Sequence, residues 1–362
     1  MMDLYKFDKV LGTVDQRQWF GKAIKHFVLA VVATAFAAFL FSCGDQNSQI
    51  VQNENTGGAL GTSYSIIYQS DRELDFQDEI DSVFRAVNQS LSTYIGDSDI
   101  SKINQGDTTI VVDDMFREVF ELSKEVHHKT DGYFDPTVGV LVNAWGFGPE
   151  RKMTMDSTRV DSLLAYVGFD KVSLSENGRV KKENPTIYFD FNAIAKGYAI
   201  DRLARMMDGM GIQNYLLEVG GELVAKGENR MKKQPWVVGI DDPQVEVGRR
   251  LKLMLHLKNR ALASSGNYRK FRVDSISGEK YVHTVDPKTG YTKNANTLAA
   301  TVLATNCAEA DAYATAFMAM NLEDALAFLM KHKGLDAYII YLENGETKEF
   351  MTDGFKELVV VN

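Results

Sequence analysis

The sequence predicts an α+β fold, on three observations. Strand-like and helix-like segments mix along the chain without the strict alternation that a parallel α/β sheet requires. Strand patterns crowd together between residues 215 and 302, with helical spacing before and after them. No internal period marks a repeat array, and no linker-like stretch divides the chain. Composition agrees with a globular protein: the 362 residues are 45% hydrophobic and 25% charged. The net charge of −9 excludes a general basic footprint for nucleic acid. An acidic chain needs local help to hold a polyphosphate, from a cation, a lysine or helix N-termini.

Taken in order, the chain begins outside the fold. Lys22, Lys25 and His26 precede an apolar run over residues 27–41, short for a membrane span and of signal-peptide length. Ser42-Cys43 follows, a small residue before a cysteine, which resembles a bacterial lipobox. Residues 1–42 therefore read as a signal peptide, and Cys43 as the lipidated N-terminus of an extracytoplasmic, membrane-anchored protein. Polar residues 43–57 read as a flexible tether, and residues 58–362 as the folded domain. With Cys43 acylated, Cys307 is the one thiol left and no internal disulfide forms.

Within the domain, residues 63–68 read as a strand. Ile80, Val83, Phe84, Val87 and Leu91 share one side of a helix over residues 76–91. Further helices are expected over residues 115–127 and 156–167. The apolar residues 186–191 read as a strand leading into a helix from about 193 to 210, ended by Gly211. After the strand-rich stretch come helices near 307–320 and 322–333. Closing strands are expected at 337–342 and 358–361.

Several segments carry chemistry. Asp190-Phe191-Asn192-Ala193-Ile194-Ala195-Lys196-Gly197-Tyr198 combines a helix N-terminus, a lysine in the first turn and a glycine that permits close approach. Those features suit a pyrophosphate. They equally suit a helix capped by Asn192, with Lys196 solvated and Gly197 packed on a strand. Asn306 and Glu309 form a capping box, so a helix begins near Cys307. Asp311 and Thr315 then lie one turn apart on one face, a carboxylate and a hydroxyl of the kind that hold magnesium beside phosphates. An alanine-rich core helix with one polar face is the plainer alternative. In the turn Thr130-Asp131-Gly132-Tyr133-Phe134-Asp135-Pro136-Thr137, two adjacent aromatics are placed either to cover a flat ring or to pack in the core. Glu218-Val219-Gly220-Gly221-Glu222 sets two glycines in a strand, where a bulge or a close backbone approach is expected. His283 stands at a strand end before the Asp286-Pro287-Lys288-Thr289-Gly290 turn, placed either as a general base or as a structural histidine.

The order of these segments is more specific than any one of them. Leu60-Gly61-Thr62, Ser92-Thr93-Tyr94, the Ser98 to Asn104 block, the Thr130 turn, the Asp190 segment, Val219-Gly220-Gly221-Glu222, Ser265-Gly266-Asn267-Tyr268, the His283 turn and Ala310-Asp311-Ala312-Tyr313-Ala314-Thr315 together resemble the ApbE family, the FAD:protein FMN transferases. The resemblance runs from about residue 60 to about 355. It implies an ApbE-like, T-fold-related architecture of mixed or antiparallel sheets with packed helices. It also implies FAD as donor, magnesium as cofactor, and an FMN phosphoester to a Thr or Ser of an acceptor protein. By position, the Ala193 carbonyl, Asp311 and Thr315 are the implied metal ligands. Leu60, Tyr94, Tyr133, Phe134, Asp135, Asp190, Lys196 and Thr284 are the implied FAD contacts, and His283 the implied base. Leu60 stands where the family usually has Met. Implied acceptors carry D-G-x-[ST]-G-[AST]-T, as in subunits of sodium-translocating NADH:quinone reductase or Rnf complexes. The nearest match here, residues 274–280, lacks the first glycine and the final threonine and reads as a hairpin turn. An FAD pyrophosphatase and a flavin carrier are the alternative activities.

Overall fold

The computed structural model describes residues 49–245, 250–266, 271–273, 280–293 and 296–361. Cys43, the apolar run and residues 43–48 of the expected tether lie outside them. One eight-stranded sheet organises the described residues. Its strands are β1 (Val51–Ala59), β2 (Thr62–Ser70), β5 (Asn214–Val219), β6 (Glu222–Lys226), β9 (Arg260–Gly266), β12 (Thr297–Ala304), β13 (Asp336–Glu343) and β14 (Glu346–Met351), hydrogen-bonded in that order. Three hairpins lie apart from it: β3 (Val172–Leu174) with β4 (Val180–Lys182), β7 (Trp236–Asp241) with β8 (Leu251–Leu257), and β10 (Phe271–Val273) with β11 (Lys280–Val282). Every ladder among the described residues is antiparallel. The α+β expectation holds, and its sheets are antiparallel rather than mixed.

Alternation along the central strands gives the sheet two apolar faces, as a pleated strand requires. Ala261 and Ala263 face one core while Leu262 faces the other, and Val302 and Leu303 divide in the same way. On the first face lie helices α1 (Gln77–Leu91), α3 (Asp114–Lys129), α6 (Ala195–Gly209), α7 (Cys307–Ala319) and α8 (Leu322–Lys331). On the second lie the β7–β8 hairpin and Phe355 of α9 (Asp353–Lys356). Short helices α2 (Asp99–Asn104), α4 (Gly139–Trp145) and α5 (Ser157–Leu164) complete the set, and α4 and α5 share a small core with Val285. In α7 only Glu309 and Thr315 are not buried, so it is a helix inside the molecule rather than an amphipathic one on its surface.

Four local expectations are corrected. The tether expected over 43–57 is strand β1 from Val51 onward. Two of its polar residues are buried: Asn53 donates to Ser70 Oγ at 2.8 Å and Asn55 to Asp75 Oδ1 at 2.7 Å, so side-chain amides stand where an apolar face would. Residues 186–191 form no ladder strand and contribute one bridge, Tyr188 to Val138. Gly220 and Gly221, at φ 65° and 105°, are the two-residue turn between β5 and β6, where Val219 pairs with Glu222. The closing strand at 358–361 is a single bridge, Val359 to Leu255, and β14 takes its place in the sheet.

Candidate active site

The turn of the β1–β2 hairpin and the turn of β5–β6 lie side by side at one end of the sheet. The Gly220 amide bonds the Ser63 carbonyl at 3.0 Å, and a Cβ on Gly220 would meet the Thr62 side chain at 2.8 Å. Leu60 occupies the first of these turns at φ 52°, followed by Gly61 at 73°. Left-handed backbone suits Asn-Gly in such a hairpin and is strained for leucine. The Leu60 side chain is held partly buried against the main core.

Glu222 follows the second turn and points inward, 3% exposed. Its Oε1 accepts from Lys196 Nζ, which ties β6 to the first turn of α6. Its Oε2 is buried and has no hydrogen-bond partner. Asp311 reaches the same helix end from α7, its Oδ2 accepting the Gly197 amide at 3.2 Å. Burial works against the Lys196 ammonium, but Asp311 and Glu222 outweigh it and hold its pKa above the usual lysine value. Burial likewise raises Glu222 and Asp311, against the pull of the same lysine. Among the described residues, two buried carboxylates therefore share one ammonium, a balance that a further positive charge would complete.

The start of α6 bears on that need. Its N-cap is Ile194, not Asn192, and its first ladder bond runs from Tyr198 N–H to the Ile194 carbonyl at 2.9 Å. The Gly197 amide, which a longer helix would give to the Ala193 carbonyl, goes to Asp311 instead. Ala193 thus sits in the turn ahead of the helix with its carbonyl outside the ladder. Gly197 is explained by backbone: a Cβ there would lie 2.3 Å from the Cys307 carbonyl oxygen. The expected capping box on α7 is present in its forward arm, Asn306 Oδ1 accepting the Glu309 amide at 2.8 Å. Asp311 and the half-buried Thr315 lie one turn apart, as the spacing predicts. The donor set is carboxylate, hydroxyl and carbonyl, all hard oxygen, and it fits magnesium. Among the described residues no group of three His, Cys, Asp or Glu side chains is placed to hold a metal.

A second part of the site is a groove of about 490 Å³ lined by Tyr94, Asn104, Asn143 and Tyr188, among others. Tyr94 is 62% exposed there, an unusual setting for a large ring. Asn104 grips the Phe189 backbone through both its amide and its carbonyl, at 2.9 and 2.8 Å, and so fixes the approach to Asp190. The Asp190 carboxylate accepts the Asn192 amide at 2.8 Å and is raised by desolvation. Its own amide bonds the Pro136 carbonyl at 2.8 Å, which joins this segment to the Thr130 turn.

In that turn the two aromatics divide. Phe134 is in the core, 3% exposed, whereas Tyr133 is partly open with Lys288 Nζ 4.2 Å from its ring centroid. Asp135 is buried and accepts the Thr137 and Phe169 amides at 2.8 and 3.0 Å. The side chains of Phe134 and Asp135 therefore hold the loop rather than cover a ring. Thr284 is buried and His283 half-buried, just past β11. The expected turn after them is present: the Gly290 amide bonds the Asp286 carbonyl at 2.8 Å, and Trp145 Nε1 donates to Gly290 at 2.9 Å. The hairpin expected at 274–280 falls mostly outside the described residues, between the paired strands β10 and β11.

Glu222 closes the Val219-Gly220-Gly221-Glu222 segment, but its place beside Lys196 has no local signature in the sequence beyond the pair of glycines before it. A larger groove of about 590 Å³ along α6 contains none of the expected site residues. Two ion pairs lie within its lining, Arg205 with Glu118 at 2.6 Å and Lys226 with Asp208 at 2.7 Å.

Comparison with known proteins converges on one family. The ApbE family matches residues 60–339. The FAD:protein FMN transferase of Haemophilus influenzae is 32% identical over 92% of this chain and 99% of its own length. That of Escherichia coli is 30% identical over 91% and 97%. Among solved structures, the flavin transferase ApbE from Vibrio cholerae superposes with a TM-score of 0.76 at 31% identity, covering 86% of this chain and all of that one. The apo flavinyl transferase ApbE of Pseudomonas stutzeri gives 0.75 at 29% identity, over 86% and 97%.

Proposed function

This chain belongs to the ApbE family, and we propose that it transfers the FMN half of FAD to a Thr or Ser hydroxyl of another protein, with magnesium bound and AMP released. One observation carries the reading: Lys196, Glu222 and Asp311 meet where the Ala193 carbonyl stands outside the α6 ladder. A buried cluster short of positive charge, beside a helix N-terminus, suits a cation and a polyphosphate together.

Lys196 and the α6 N-terminus bind the pyrophosphate and fix its orientation. The Ala193 carbonyl, Asp311 and Thr315 would hold magnesium, which when bound neutralises charge on phosphate oxygens. Tyr94 and Leu60 offer the flavin an exposed ring and an aliphatic contact, and Tyr133, Asp190 and Thr284 border the same dinucleotide. In the transfer, the acceptor oxygen forms a bond to the FMN-side phosphorus. The bridging P–O bond breaks and its oxygen leaves with AMP. His283 takes the acceptor proton. The acceptor presents a D-G-x-[ST]-G-[AST]-T segment, and the apolar run with Cys43 supports a lipid-anchored, extracytoplasmic site for the reaction.

Membranes carrying the protein, given FAD, magnesium and an acceptor with that segment, should yield an acceptor band that stays fluorescent after denaturation. EDTA should abolish it, and His283→Ala should lose transfer while still binding FAD. Free FMN and AMP with no labelled acceptor would identify a hydrolase, and unchanged FAD a carrier; either result overturns the transferase reading. Cys43→Ala should move the activity to the soluble fraction, and activity that stays with membranes refutes the lipid anchor.

A further inference from the structure

Asp201 takes no part in the transfer just described, yet its carboxylate lies at the contact of α7, which carries Asp311 and Thr315, with α6, which follows Ala193. Its oxygens accept the Cys307 and Ala308 amides, each at 2.8 Å, so a residue of α6 caps the N-terminus of α7. Asp311, one turn along α7, returns the favour through the Gly197 amide at 3.2 Å, and Gly197 lies one turn before Asp201 on α6. The helices thus exchange carboxylates across a contact that leaves no room for a methyl group on Gly197. The local need of α7 for a cap is met separately by Asn306, whose side chain accepts the Glu309 amide at 2.8 Å. What the Asp201 bonds add is a fixed position of α7 against α6.

We propose that Asp201 is a positioning residue for the cation site. By pinning α7 to α6 it sets the Asp311 and Thr315 oxygens, on one helix, against the Ala193 carbonyl ahead of the other. Magnesium tolerates little error in such a setting, because it demands near-octahedral oxygens at about 2.1 Å. The inference rests on reading those three groups as the cation ligands.

Full-length protein is titrated with Mn²⁺ in the presence of FAD, and free Mn²⁺ is followed by electron paramagnetic resonance. Asp201→Asn keeps the size of the side chain and one acceptor oxygen, but gives up the second. It should weaken Mn²⁺ binding by about tenfold, the usual cost of losing an outer partner of a metal site. Asn306→Ala, which removes the cap internal to α7, should lower the melting temperature and leave Mn²⁺ affinity where it was. Equal weakening in both variants, or none in Asp201→Asn, overturns the proposal. If Asp201→Asn does not fold, Asp201→Glu, which keeps the charge and shifts it by one methylene, is judged by the same criterion. A wild type that binds no Mn²⁺ removes the cation reading itself, a result distinct from wild-type binding that Asp201→Asn leaves intact.

Discussion

Lys196 is the residue on which the site's electrostatics turn, because its ammonium serves two buried carboxylates, Glu222 and Asp311. Removing one partner of a buried ion pair leaves an uncompensated charge, at a cost of about 3–5 kcal/mol. Lys196→Met should therefore destabilise the protein by that order in urea unfolding. Pairing it with Glu222→Gln should restore part of the stability, the Asp311 charge remaining, and none of the transferase activity. Equal losses in the single and double variants would show that the ion pair is not what holds the two elements together. Leu60 offers a different lesson at the same scale. Its strained φ of 52° goes with a side chain delivered beside the site, where Asn would relax the turn and contribute no aliphatic surface.

The contact between α6 and α7 is the element-level counterpart, and Gly197 is its weak point. Gly197→Ala forces a Cβ against the Cys307 backbone, which cannot rotate away as a side chain could. Overpacking of this kind costs about 1–3 kcal/mol, so thermal unfolding of Gly197→Ala should occur at a clearly lower temperature. An unchanged melting temperature would mean that the helices separate freely. Glycine at this position was legible in the sequence as a close approach, but its partner was not: the backbone it meets lies more than a hundred residues away. The same division runs through the other elements. The α7 capping box and the Asp311–Thr315 spacing could be read because a helix repeats over a few residues. Strand β1 could not, because Asn53 and Asn55 satisfy their amides at the end of β2 and on the segment after it, and a polar strand carries no period-2 signal. Residues 186–191 are as apolar as a strand and bury Ile187, Phe189 and Phe191, but they form no ladder.

For the whole molecule, the buried acids make stability depend on pH in an uncommon direction. Burial raises Asp201 to about 6 in spite of its two amide donors. A carboxyl with a raised folded pKa binds its proton more tightly folded than unfolded. It therefore contributes stability at low pH that is lost as pH rises through the folded value. The window runs from its ordinary 3.8 to about 6. Across it, metal-free wild type should gain up to roughly 3 kcal/mol relative to Asp201→Asn on acidification, measured by urea unfolding in EDTA. Parallel stability curves for the two proteins would refute the assignment. The eight-stranded sheet has a consequence of another kind. Among the described residues it does not close, and β1 and β14 each have a strand partner on one side alone. Open edges of that sort are templates on which neighbouring chains can add a strand and grow into fibres. Here one border carries exposed Glu54 and the glycines Gly57 and Gly58, and the other exposed Glu346, Lys348 and Glu349. An incoming strand would have to strip water from those charges, and at Gly57 and Gly58 it would find no side chain to pack against. The polar character that disguised β1 as a tether is thus also what keeps this border from recruiting copies of itself.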